Sequence, residues 1–380
     1  MKYVDEFRDP GLAHALARSI AREVTPGRRY RFMEFCGGHT HVLARHGVDR
    51  LLPEGITMIH GPGCPVCVLP VGRLDGAIAL ARDHGVTLCT YADTLRLPAS
   101  RADSLLKARA AGADVRMVYA ATDALRIARA QPDREVVFFA IGFETTAPAT
   151  ALVLLEAARE ELGNFSVYCN HVLTPPAMAA ILAPGDGHVP LDGLVGPAHV
   201  SCVIGAGPYR PIAARFAKPV VIAGFEPLDL LQAVLMLVHQ VNAGRHDVEN
   251  EYARAVSRDG NARAQAVMAT AFTTRAAFEW RGLGTLPASA LAIHPRLRPL
   301  DAEARYRLTC APVPEPKSCE CAAVLRGAKT PAACTLFGTA CTPEHPVGAC
   351  MVSSEGACAA WYARGWLAQP ATREPAAEPV

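Results

Sequence analysis

From Tyr30 to about residue 225 the chain repeats one unit: a short apolar run, a polar or glycine-bearing turn, then a helical stretch. The runs at 30–35, 56–60, 86–91, 115–119, 135–141, 166–169, 192–195 and 219–223 read as strands. Helices at 72–84, 101–111, 121–130, 146–162 and 226–243 fill the gaps, after an amphipathic helix at 7–24 carrying Leu12, Leu16, Ile20 and Val24. Strands that alternate with helices build parallel sheets with helical crossovers. Eight strands exceed what one small sheet needs. The expected fold is therefore α/β, with two similar parallel-sheet domains, 27–125 and 126–244, around a cleft. Residues 1–26 and 245–380 form a third, mainly helical and irregular part, with helices at 248–258 and 261–273. The last dozen residues, from Pro370, are rich in Pro, Ala and Glu and are expected to be disordered.

The unusual residues gather after the strands. Cys36-Gly37-Gly38-His39 follows the first, Gly61-Pro62-Gly63-Cys64-Pro65-Val66-Cys67 the second, and Tyr91-Ala92-Asp93-Thr94 the third. Gly142-Phe143-Glu144-Thr145-Thr146 follows the fifth, Cys169-Asn170-His171 the sixth, Pro197-Ala198-His199-Val200-Ser201 the seventh and Gly224-Phe225-Glu226-Pro227 the eighth. Open α/β sheets bind ligands at the carboxyl ends of their strands, so these turns should line a cleft.

Composition narrows the chemistry. Thirty-eight basic against thirty-six acidic residues leave a net charge of +2, which argues against a nucleic-acid surface. No apolar run reaches the ~18 residues that span a bilayer, and the first residues carry no apolar signal segment. A cytoplasmic protein is expected. Its 13 cysteines, in a reducing compartment, point to metal or redox work rather than a disulfide framework. Six are scattered up to Cys202; seven crowd between Cys310 and Cys358.

Within the second group, Cys321, Cys334, Cys341 and Cys358 are separated by 12, 6 and 16 residues. Four thiolates on a loop-rich segment suit a [4Fe–4S] cluster or a structural zinc, and the lack of short ligand pairs leans toward iron–sulfur. Cys350 competes for a ligand role; Cys310 and Cys319 read as inert thiols. Cys64 and Cys67 form either a redox pair or half a metal site. Cys36 and His39 offer one soft and one borderline metal ligand on a glycine turn, or else a buried thiol and a histidine packed at a helix start. Glu144 is a candidate proton donor or acceptor, with Thr145 or Thr146 as an alternative simple helix cap. His199 ranks ahead of His171 as a cleft group.

These segments together resemble the HypD family of [NiFe]-hydrogenase maturation proteins. The resemblance rests on Cys36-Gly-Gly-His-Thr-His41, Gly61-Pro-Gly-Cys-Pro-Val-Cys67, Gly142 to Ala151, Pro197 to Ser201, Gly224 to Leu231 and Met351 to Ala360, and runs from Tyr3 to about Tyr362. It implies a scaffold that holds iron while the ion acquires two cyanides and one carbon monoxide. The implied partners are a HypC-like chaperone, a HypE-like cyanide donor supplied by HypF and, through HypC, the hydrogenase large subunit. It further implies that Cys36 holds the iron with His39 beside it, that Cys64 and Cys67 are a redox pair, and that Cys321, Cys334, Cys341 and Cys358 carry a [4Fe–4S] cluster. Ala198 stands where the family often has glycine, and members differ at the position of Cys350. A free-standing thiol–disulfide oxidoreductase is the alternative function.

Overall fold

The computed structural model describes residues 5–185, 188–314 and 318–364. The disorder expected from Pro370 onward lies outside them. All eight expected strands form, within a residue or two of their predicted limits: β1 Tyr30–Glu34, β2 Ile56–His60, β3 Thr87–Thr90, β4 Val115–Met117, β5 Val136–Gly142, β6 Phe165–His171, β7 Gly193–Pro197 and β8 Val220–Ala223. A ninth, β9 Val248–Asn250, replaces the helix expected at 248–258. It pairs with β8 at the sheet edge, where three residues of extended backbone satisfy donors that a helix would leave to water.

The strands form two parallel sheets, ordered β2-β1-β7-β8-β9 and β4-β3-β5-β6. The division near residue 125 does not hold. The chain leaves the first sheet after β2, builds the whole second sheet, and returns to lay β7 beside β1, with Phe32 opposite Gly193. Strand signals are local, but the partner a strand chooses is not, so contiguity in sequence was a poor guide. The amino-terminal segment is not part of a third domain either. Helix Pro10–Glu23, capped by Asp9 through the Leu12 amide, packs against helix Pro227–Asn242 of the first sheet's layer.

The third part begins after β9. Helix Ala262–Ala271 and two small antiparallel pairs, Phe272–Thr274 with Leu291–Ile293 and Ala277–Trp280 with Gly284–Pro287, lead into it. The cysteine-rich tail then folds in short turns against the second sheet, and Cys321, Cys341, Cys350 and Cys358 share one apolar core with Cys64, Val66, Cys67 and Leu69. Among the described residues no helix is long and apolar enough to cross a membrane.

Candidate functional site

In the first sheet β2 and β7 flank β1 on opposite sides, so the strand order reverses direction there. Such a switch point opens a crevice at the strands' carboxyl ends. Cys36 occupies it. The residue stands in extended conformation (φ −147°, ψ 125°) at the cap position of helix Gly37–His46. Its partly exposed thiol is pushed up to about 12 by burial and by the Glu34 carboxylate, while the N–H groups of Gly38 and His39 pull the other way. The group is thus a protonated thiol at neutral pH, and any metal it bound would have to displace that proton.

Three glycines make this approach possible. A Cβ on Gly63 would lie 2.5 Å from the Cys36 nitrogen, and one on Gly38 would lie 2.6 Å from the Phe225 ring. On Gly37 it would collide with Glu355 of the tail. The turn is also tied from below by a residue the sequence reading passed over. Glu34, fully buried at the end of β1, accepts from the Cys36 amide at 2.8 Å and from the Thr40 hydroxyl, and His60 Nδ1 sits 2.9 Å away. One carboxylate thereby links β1, the first turn of the helix and the end of β2.

His39 and His199 both pack on Phe225, with ring centroids 5.2 and 4.0 Å from it. His39 is buried, its Nε2 lies 2.9 Å from the Ala223 carbonyl, and its Nδ1 has no hydrogen-bond partner. Burial lowers its pKa, and burial followed by the proximity of His39 lowers that of exposed His199, so both favour neutral imidazole. Cys36, His39 and His199 thus lie near the carboxyl ends of β1, β7 and β8, the two histidines sharing Phe225.

Before helix Val71–Asp83 leads to β3, the chain leaves the first sheet through the loop Gly61 to Cys67. Its Gly63 carbonyl receives the Gly37 amide at 3.1 Å, so the loop and the Cys36 turn are bonded to each other. Cys64 and Cys67 are joined in a disulfide, with Cα atoms 5.3 Å apart, and both are almost wholly buried. Beyond them, Cys67 Sγ lies 3.9 Å from the Ala349 carbonyl of the tail. A continuous line thus runs from the Cys36 turn through the disulfide to the residue before Cys350.

In the tail, Cys319, Cys321, Cys334, Cys341 and Cys358 line one cavity with Val324, Phe337 and Met351. Cys350 is fully buried against Cys321 and Cys358; hydrogen bonds from Cys321 and Cys350 draw Cys358 down to about 6. The Val347 amide points at Cys341 Sγ over 3.4 Å. Among the described residues no three His, Cys, Asp or Glu side chains are arranged to hold a single metal ion. Cys319, taken from sequence as inert, belongs to this lining, whereas Cys310 sits elsewhere, 2.9 Å from the Tyr168 hydroxyl and beside Arg73.

Glu144 stays apart from these groups. It is buried, accepts from the Thr174 amide (2.9 Å) and hydroxyl (3.0 Å) at the start of helix Thr174–Leu182, and burial raises its pKa to about 7. Its visible work is to hold that helix start. His171 likewise bonds Thr150 at 2.8 Å in a buried setting that lowers its pKa to about 4.

A family model designated HypD and described as "Hydrogenase formation hypA family" matches residues 11–365. The chain is 60% identical over 368 residues to the hydrogenase maturation factor HypD of Azotobacter vinelandii, spanning 96% of this chain and 97% of that one. It is 59% identical over 369 residues to its namesake from Cupriavidus necator (96% and 97%) and 46% identical over 367 residues to that of Escherichia coli (95% and 98%).

Proposed function

The chain belongs to the HypD family, and from that membership we propose a role in hydrogenase maturation as the scaffold on which an iron ion receives its cyanide and carbon monoxide ligands. The observation that carries this reading is the placing of Cys36: a single reachable thiol at a sheet switch point, on a turn fixed by backbone hydrogen bonds and by Glu34. Cyanide and carbon monoxide favour low-spin, electron-rich iron, which a soft thiolate holds well. Ligand transfer needs open coordination positions, so a site offering one thiol, with two neutral imidazoles on Phe225 nearby, suits a cargo that must be built up and handed on. A HypC-like chaperone would supply a further iron ligand, and a HypE-like protein the cyanide.

The resident group we assign to the tail is a [4Fe–4S] cluster. Thiolates are its natural donors, and five cysteines line one apolar cavity. Cys321, Cys334, Cys341 and Cys358 would hold it, with Cys319 and Cys350 in reserve around them. When bound, such a group supplies single electrons. Opening the Cys64–Cys67 bond takes two electrons and two protons and yields two thiols next to the Cys36 turn, where cargo loading or release could use them.

The free-standing oxidoreductase fits less well. Cys64 and Cys67 are 2% and 0% exposed, which leaves no path for a protein disulfide to reach them without the loop moving. Infrared spectroscopy of this protein co-purified with a HypC-like chaperone tests the assignment. Cyanide and carbon monoxide stretches are expected; their absence from cluster-loaded protein would remove the scaffold reading.

A further inference from the structure

Four corners of a cubane need four thiolates, yet the tail cavity is lined by five. Cys334, Cys341 and Cys358 reach it from three separate turns, each alone on its segment. The remaining two come from one segment. Cys321 opens the short helix Cys321–Leu325 and is buried; Cys319 lies two residues earlier and is partly exposed. Glu320 between them is paired with Lys329 and lines the same cavity as both flanking cysteines. The two sulfurs also meet at a single point opposite, since a Cβ built on Gly348 would run into both Cys319 Sγ and Cys321 Sγ. Gly348 leaves that space open.

We propose that Cys319 and Cys321 are interchangeable ligands for one corner of the cluster, with Cys321 the resident and Cys319 the substitute. This rests on the cluster reading above and adds to it a labile corner. The other three corners have no second thiol on their own segment, so the redundancy is local. Cys350 does not compete in the same way: it lies on another segment, is fully buried in hydrogen-bond contact with Cys321 and Cys358, and is not among the cavity-lining cysteines. Exchange is a simple ligand substitution. On a bound cluster the Cys319 thiol would give up its proton to bind iron while the Cys321 sulfur left and took one up, with no electron moved.

The test uses the full chain, reconstituted anaerobically with ferrous iron and sulfide, as wild type, Cys319→Ala, Cys321→Ala and the double variant. Iron and sulfide per chain and charge-transfer absorbance report loading; alkylation mapped by mass spectrometry reports which thiols are free. Both single variants should load fully. Cys321→Ala should lose iron to a chelator about tenfold faster than wild type, as expected for a less well placed ligand, and the double variant should load none. In loaded wild type Cys319 should alkylate while Cys321 is shielded, and in loaded Cys321→Ala Cys319 should become shielded. The wild-type measurement needs no substitution and stands whichever variants fold. Loss of the cluster from Cys321→Ala alone, retention in the double variant, or Cys319 as shielded as Cys321 in wild type would overturn the proposal. Wild type that takes up no iron and sulfide would instead bring down the cluster reading itself, and this inference with it.

Discussion

The Cys36 turn and the cysteine-rich tail both present thiols, but they are built in opposite ways. Cys36 stands between a strand and a ten-residue helix, and every constraint on it comes from protein: the Gly37 amide to Gly63, the Cys36 amide to Glu34, and Thr40 to the same carboxylate. The tail thiols sit on or beside short helices and turns, each held by local backbone hydrogen bonds such as Cys334 to Pro331, Cys341 to Leu336 and Met351 to Gly348. One site is pre-organised before any metal arrives. The other is tied turn by turn within the tail and, on the cluster reading, would gain further order from what its sulfurs bind. A cargo site must release its iron and survive the loss; a resident site need not.

The largest test of that contrast is to unload the tail. Cys334→Ala, or removal of iron by a chelator, should bleach cluster absorbance and render the tail sensitive to protease, while both sheets keep their cooperative melting. Equal collapse of sheets and tail, followed by circular dichroism and limited proteolysis, would break the distinction. Next comes the support beneath Cys36. Glu34→Ala leaves the Cys36 amide, the Thr40 hydroxyl and His60 without their buried acceptor and should cost about 3 kcal/mol in denaturant unfolding. Glu34→Gln, which keeps an acceptor, should recover part of it.

Glu144 makes a smaller comparison, as the carboxylate at a strand end of the other sheet. Its folded pKa of about 7 lies above the ~4.3 of an unfolded glutamate. Ionising it therefore costs more in the folded state, and stability falls as pH rises through that interval and stays lowered above it. Glu144→Gln should be neutral near pH 4 and stabilising by on the order of 1 kcal/mol at pH 8. A gain of equal size at both pH values would show that burial is not the cause. The smallest effect belongs to Cys310→Ser, which should leave cluster absorbance unchanged because Cys310 faces Tyr168 and Arg73 rather than the cavity.

The eight expected strands were readable because an apolar run followed by a glycine or proline turn is a local signal. Their division between sheets was not, since β1 meets β7 some 160 residues later and nothing in either run names its partner. Cys36, His39, Cys64, Cys67 and His199 stood out as reactive types at strand ends; the fold bonds the Cys36 turn to the Cys64–Cys67 loop and sets both histidines on Phe225. Glu34 was hidden for the opposite reason: in an apolar run it read as strand interior, although a carboxylate two residues before a cysteine is itself an anomaly. Cys319 was discounted on spacing alone, because spacing cannot show that it lines the same cavity as Cys321. Glu144, set at a strand end like the others, turned inward to hold a helix start.

Cys36 is the thiol on which iron holding turns, and infrared spectra of the Cys36→Ala protein with its HypC-like partner, set against wild type, test it directly. With cluster absorbance and sheet melting unchanged, the cyanide and carbon monoxide bands should vanish. Bands of undiminished intensity would show that the iron is held elsewhere.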